Sequence, residues 1–148
     1  MNKQIQQTRE FNNYILDLPT KPTINREAIF IRIALLKEEI QELKEATMAG
    51  DMTEIRDAIA DIRYVLYGII NSCGLDDIAD NDFQQVHSSN MLKVLDSKEE
   101  AEVHAKQYND LGVECEAKEK NGKWAVFRYD GKLMKPTNWV KHDFESID

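Results

Sequence analysis

Two acidic stretches at helical spacing, separated by a loop of a few residues, constrain this chain more than anything else in it. They are Glu38-Glu39-Ile40-Gln41-Glu42 and Glu54-Ile55-Arg56-Asp57-Ala58-Ile59-Ala60-Asp61, joined through Met48-Ala49-Gly50-Asp51. Carboxylates three and four residues apart share a helix face, so each stretch presents its acids as one row. So short a connection folds the two helices back antiparallel. Two acidic rows facing each other would make a divalent-metal site.

Placing residues at about 100° per position tests the facing. On the first helix Ile29, Ile33, Leu36, Ile40 and Leu43 fall on one side. Glu39 and Glu42 lie on its shoulder with Leu35 and Ala46, while Glu38 points furthest out. On the second, Ile55, Ile59, Ile62, Leu66 and Ile69 define the main apolar side, and Glu54, Asp57 and Asp61 share a line continuing into Tyr64, Val65 and Gly68. A solvated face is expected around Arg56, Arg63, Tyr67 and Asn71, so the acids point into a partly packed region. There a carboxylate is costly unless a cation or hydrogen-bond donors meet it.

For either row alone, a solvated face on a helix rich in Glu and Lys is the commoner explanation. It accounts well for Glu38 and Glu45. It accounts poorly for Asp57 and Asp61, because Asp is a mediocre helix former and these two sit mid-helix in line with packing residues. Together the rows favour a metal. Oxygen ligands without His or Cys suit a hard cation, and Mg²⁺ held by a few carboxylates plus substrate phosphates is the usual arrangement. The chemistry expected is on a phosphate ester or anhydride.

Three motifs in order carry a resemblance. ExxE at Glu39 to Glu42 is followed by acids at Glu54, Asp57 and Asp61 within DAIADIRYVLYG (residues 57–68), then by VHSSNMLK (86–93) and DGKLMKPTNW (130–139). The series resembles the all-α nucleoside triphosphate pyrophosphatases, the superfamily of MazG, the dimeric dUTPases and phosphoribosyl-ATP pyrophosphohydrolase. The later motifs are similar to the phosphoribosyl-ATP pyrophosphohydrolase-like branch, including its phage and MazG-like members.

The resemblance implies hydrolysis of a nucleoside triphosphate or related nucleotide between the α and β phosphates, giving a monophosphate and pyrophosphate. It implies Mg²⁺, with Mn²⁺ as a substitute, held by Glu39, Glu42, Asp57 and Asp61. Glu38 and Glu39 are the candidate catalytic carboxylates, one of them helping to activate the attacking water. Many relatives carry Glu three residues before the last Asp, and here that position is Ala58. Asp57, one position earlier on the same row, is the expected replacement, with Glu54 as the lesser alternative. Tyr64, Asn90, Lys93, Lys132 and Lys135 are the expected substrate contacts. A homodimer or homotetramer is also implied, because relatives build their sites in a bundle shared between subunits.

The rest of the chain agrees with one cytoplasmic enzyme domain, or one in the host cytoplasm if phage-encoded. At 148 residues the chain can bury a core. A net charge of −8 argues against a nucleic-acid polymer as partner, since backbone binding needs clustered Lys and Arg. Cys73 and Cys115, two and far apart, fit reduced thiols. No apolar run is long enough for a membrane span, and the polar start MNKQIQQTRE lacks a signal-peptide core.

In order, residues 1–18 read as an amphipathic helix with Phe11 and Tyr14 as core aromatics, ended by Pro19 and Pro22. Thr23 or Asn25 caps the first acidic helix, Gly50 stops it, and Cys73-Gly74 ends the second. A helix over 80–95 carries His87, Asn90 and Lys93, of which His87 is read as structural. Ser97-Lys98-Glu99-Glu100 is a capping box for a helix to Leu111, with a structural His104. Alternation around Asn121-Gly122 predicts a β-hairpin, read as an insertion between the VHSSNMLK helix and the DGKLMKP tail, with Trp124 and Trp139 as packing anchors. The expectation is one domain: a mainly α, antiparallel helix bundle over about residues 1–111, with a small C-terminal β-hairpin and tail over 113–148. A nucleotide-binding protein without activity and a helical interaction module are the alternatives.

Overall fold

A computed structural model describes residues 2–144, 146 and 147. Five helices, α1 (Lys3–Asn12), α2 (Arg26–Ala49), α3 (Met52–Ser72), α4 (Ala79–Met91) and α5 (Lys98–Asp110), precede strands β1 (Cys115–Lys120) and β2 (Lys123–Arg128). The chain is mainly helical with one two-stranded antiparallel hairpin, consistent with an all-α nucleoside triphosphate pyrophosphatase fold. It divides into two compact units, one ending at Asp80 and the other beginning at Asn81. Among the described residues no helix is long and apolar enough to cross a membrane.

In the first unit, capping chemistry fixes the hairpin of α2 and α3. Asn25 starts α2 by accepting from Ala28 N at 3.1 Å. Gly50 ends it at φ 68°, a left-handed conformation that costs a residue without Cβ little. Asp51 then accepts from the Thr53 and Glu54 amides and opens α3, so two residues reverse the chain.

Helix α1 is shorter than its sequence pattern and packs on α3. The α3 face expected to be solvated is partly covered by it: Asn71 is 0 % exposed. Asn71 accepts from Asn12 Nδ2 at 3.1 Å and donates to Ile5 O at 3.3 Å and Asp76 Oδ1 at 2.6 Å. Arg9 completes the chain of contacts with an ion pair to Asp76 at 2.7 Å. A hydrophilic residue on a helix wheel is buried here because three polar partners meet it. Phe11 and Tyr14 are exposed rather than core.

Apart from Ile5, the one large apolar side chain fully buried in this unit among the described residues, its interior is small and polar: Ala46, Ala58, Thr8, Asn12, Asn71 and Ser72 are buried. Large apolar groups of α2 and α3 remain open, with Ile40 56 %, Ile59 45 % and Leu66 47 % exposed. Helical periodicity puts Ile33 and Ile40 of α2 on one face and Ile59 and Leu66 of α3 on another.

In the second unit, α5 lies on the hairpin over a core of Leu95, Ala101, Ala105, Cys115 and Val126. Ser97 caps α5, accepting from Glu100 N at 3.2 Å. Cys115 pairs with Arg128 and Lys120 with Lys123 across the turn, where Asn121 and Gly122 both take positive φ, 53° and 78°. Strand β2 also bridges to Leu95 and to Leu133, which ties the hairpin to the segments on either side of it. His104 is buried and meets Thr137 Oγ1 at 2.8 Å, while Trp139 donates to Ser89 O at 2.7 Å, so both are structural.

Candidate functional site

The acids lie where α2 and α3 run side by side. Arg32, Glu39 and Ala46 recur every seven residues on α2, two turns apart, and so form one stripe. Both ends of the stripe meet α3 or are buried: Arg32 lies against Gly68, and Ala46 is buried. Glu39, between them, is half-buried.

Glu39 Oε2 is shut off from solvent and has no hydrogen-bond partner among the described residues. Its carboxyl is pushed above the usual range first by burial, then by the charges of Glu42, Asp61, Glu38 and Asp57. An orphaned buried oxygen in a field of like charges is unfavourable for the chain alone. A cation relieves both costs.

The four neighbours are exposed side chains. Among the described residues no three acids, His or Cys converge closely enough to enclose an ion as they stand. Holding one therefore requires rotation of Glu42, Asp57 and Asp61 toward Glu39, which exposed side chains make freely. Their exposure also corrects the expectation that Asp57 and Asp61 point into packed surroundings. Ala58 is buried at 3 %, so the position that carries an acid in many relatives contributes packing here. Asp57, one residue earlier, is among the charges that act on Glu39. Glu54 stands further along, lining with Glu42, Glu45 and Asp51 a hollow of about 460 Å³ at the loop end of the hairpin.

Tyr64 follows Asp61 by three residues and stacks edge-on against Phe11, ring centroids 5.9 Å apart. The remaining expected substrate contacts belong to the second unit. There Lys93 Nζ donates to Asn90 Oδ1 at 2.7 Å, so the two form one polar pair. Lys135 Nζ sits 4.1 Å from the Trp139 ring centroid, and exposed Lys132 donates its amide to Asp130 at 3.3 Å. His87 is exposed.

One residue of the stripe escapes a reading directed at carboxylates. Arg32 donates to Ser72 Oγ and Asn12 Oδ1, each at 3.0 Å, and forms no ion pair among the described residues. Burial lowers its pKa. The available signal was a lone cation inside the apolar run AIFIRIALL, seven residues before Glu39.

The chain is 42 % identical over 45 residues to an uncharacterized protein of Acanthamoeba polyphaga mimivirus, a match covering 30 % of this chain and 18 % of that protein. The matched region is thus under a fifth of the relative's length. The family profile of phosphoribosyl-ATP pyrophosphohydrolase matches residues 8–90, which hold α2, α3, all the acids of both rows and Asn90. The match spans more than half of the 148 residues, and on it the chain belongs to the phosphoribosyl-ATP pyrophosphohydrolase family, within the MazG-like all-α nucleoside triphosphate pyrophosphatase superfamily.

Proposed function

We propose that the chain is a Mg²⁺-dependent nucleotide pyrophosphohydrolase that cleaves a nucleoside triphosphate, or a related nucleotide, between the α and β phosphates. The observation that carries this reading is the buried, unpartnered Oε2 of Glu39 among the charges of Glu42, Asp61, Glu38 and Asp57. Glu39, Glu42, Asp57 and Asp61 would hold the metal, which when bound offsets phosphate charge and makes a water nucleophilic near neutral pH.

The chain's own task is positioning. Glu38, exposed beside Glu39, can accept the proton of the attacking water. Attack at the α phosphorus breaks its bond to the bridging oxygen, and pyrophosphate leaves. Asn90, Lys93, Lys132 and Lys135 offer donors and positive charge to phosphates or sugar.

A second copy of this chain would cover the exposed Ile33, Ile40, Ile59 and Leu66, making a homodimer or a homotetramer. Two unpaired thiols fit a reducing compartment, the cytoplasm of the cell or of a host. The buried Ala58 favours a second reading, a protein that holds a nucleotide without cleaving it.

Pyrophosphate release from a panel of canonical and modified NTPs and dNTPs, with Mg²⁺ or with chelator, separates the two. Metal-dependent release that disappears in Asp61→Ala establishes the hydrolase. Nucleotide binding without release across the panel would move the assignment to the binding protein.

A further inference from the structure

Beside the acid row, on the α1 side of α3, lies a hollow of about 230 Å³ lined by Gln4, Gln7, Thr8, Ala60, Arg63, Tyr64 and Tyr67. Drug-sized ligands occupy roughly 300–1,000 Å³, so this space suits one planar ring system rather than a whole nucleotide. Its single formal charge is Arg63, which forms no ion pair among the described residues.

Gln4 and Arg63 are set as donors, while Gln7 and the Tyr64 hydroxyl can donate or accept. Gln4 Oε1 accepts from Arg63 Nη2 and, at 3.0 Å, from the Tyr67 hydroxyl. With its oxygen doubly engaged, the Gln4 amide has its two N–H groups as the donors left for a ligand. Arg63 has five N–H donors and spends one on Gln4. Thr8 is occupied, donating to Gln4 O at 2.9 Å. Tyr64, braced edge-on by Phe11, supplies a fixed aromatic wall. A wall of π surface with donors on its rim complements a flat heterocycle bearing carbonyl acceptors.

Resting on the proposed reaction, we infer that this hollow receives the base of the substrate and selects bases with a carbonyl at purine C6 or pyrimidine C4 (guanine, hypoxanthine, uracil, thymine) over those with an amino group there (adenine, cytosine). Tyr64 links the two regions: it lines the hollow and sits three residues, about 4.5 Å of helix rise, beyond Asp61. A nucleotide with its phosphates on the acid row has its base within reach of Arg63 and Gln4.

The test uses matched pairs that differ by keto against amino: UMP with CMP, and IMP with AMP. Dissociation constants are measured by calorimetry on the intact chain in chelator, so neither metal nor turnover enters. The keto member of each pair should bind about tenfold more tightly, the usual effect of one hydrogen bond from a charged donor. Arg63→Met should bring each pair to parity. Gln4→Glu, which keeps the acceptor for Arg63 and Tyr67 but removes the amide donors, should do the same with circular dichroism unchanged. Parity in the wild type, or a preference that survives both variants, overturns the assignment. Keto preference without hydrolysis of any triphosphate leaves the pocket standing and removes the reaction; metal-dependent hydrolysis without preference does the reverse.

Discussion

Arg32 lies on Gly68 so closely that a Cβ at position 68 would sit 2.3 Å from Nη1 and 2.8 Å from Cζ. The glycine is therefore a seat for a side chain, not for a neighbouring backbone. Gly68→Ala must push the guanidinium off Ser72 and Asn12, at a cost of about 0.5–1.5 kcal/mol for each of the two hydrogen bonds lost. Removing a mid-helix glycine returns about 1 kcal/mol. In an Arg32→Ala background only the return remains, so the same substitution should be neutral or stabilising. A double-mutant cycle by denaturant unfolding reads the difference. Equal effects in the two backgrounds would show that Arg32 does not set the identity of residue 68.

Legibility in the sequence followed how local each cause is. The caps at Asn25, Gly50 and Ser97, and the Asn121-Gly122 turn, rest on a few adjacent residues and stand where the pattern puts them. The hydrophobic wheel placed Glu39 on the shoulder of α2, and there it is half-buried. Asn71 was misjudged because periodicity records polarity, while its burial depends on Asn12, Ile5 and Asp76, up to 66 positions away. Arg32 was passed over for the same reason. Phe11 and Tyr14 failed in the other direction, since an aromatic residue on a short helix says nothing of whether another element covers it.

Asp76 is buried, and its partners are Arg9 and Asn71. Arg9→Met leaves its charge without a counter-ion and should cost about 3 kcal/mol, the lower end for a broken buried pair because Arg9 stays partly exposed. Asn71→Leu, which removes one partner each from Asp76 Oδ1 and Asn12 Nδ2, should cost about 2–3 kcal/mol. The two losses share Asp76, so the double variant should fall short of their sum. Strict additivity in urea unfolding would disprove a connected network.

Glu39 makes a prediction about metal. Its carboxyl is raised, so ionised Glu39 opposes folding: the cost is absent in acid, grows as pH climbs through the ordinary carboxylate range, and is full above the raised value. Glu39→Gln should therefore raise the Tm of metal-free protein at pH 7 and change it little below pH ~4. Mg²⁺ at a hundredfold its Kd should stabilise the wild type by about 2.7 kcal/mol and the variant much less. Scanning calorimetry with and without Mg²⁺ decides. A Tm indifferent to Mg²⁺ in the wild type would remove the metal site.

The exposed apolar ridge predicts an assembly. Burying a Leu or Ile side chain is worth about 1.5–3 kcal/mol, so a second copy covering Ile40, Ile59 and Leu66 on both chains gains enough to hold a dimer near micromolar concentration. Ile59→Lys should shift the sedimentation coefficient to that of a monomer while helicity persists. A wild type that sediments as a monomer at ~10 µM, about −7 kcal/mol on the affinity scale, excludes this interface.

In the second unit the Asp130 turn predicts an acid transition of its own. Arg128 grips the carboxylate with two bonds, Nε at 2.9 Å and Nη2 at 2.6 Å, and the Lys132 amide adds a third. The Arg128 bonds, above all, hold the Asp130 pKa down from 3.8 to about 2. Because the folded value lies below the unfolded one, the stabilisation is complete above pH ~4 and is lost as pH falls toward 2. A carboxyl titration by NMR should place Asp130 near the lower value in the wild type and near the ordinary value in Arg128→Gln. Wild type and Asp130→Asn should differ in stability at pH 5 and converge at pH 2. Since the same turn presents Lys132, Asp130→Asn should also loosen that amide, visible as faster hydrogen exchange at Lys132 with the β1–β2 pairs still protected. Protection of Lys132 unchanged in the variant would mean that the turn backbone, not the carboxylate, sets its position.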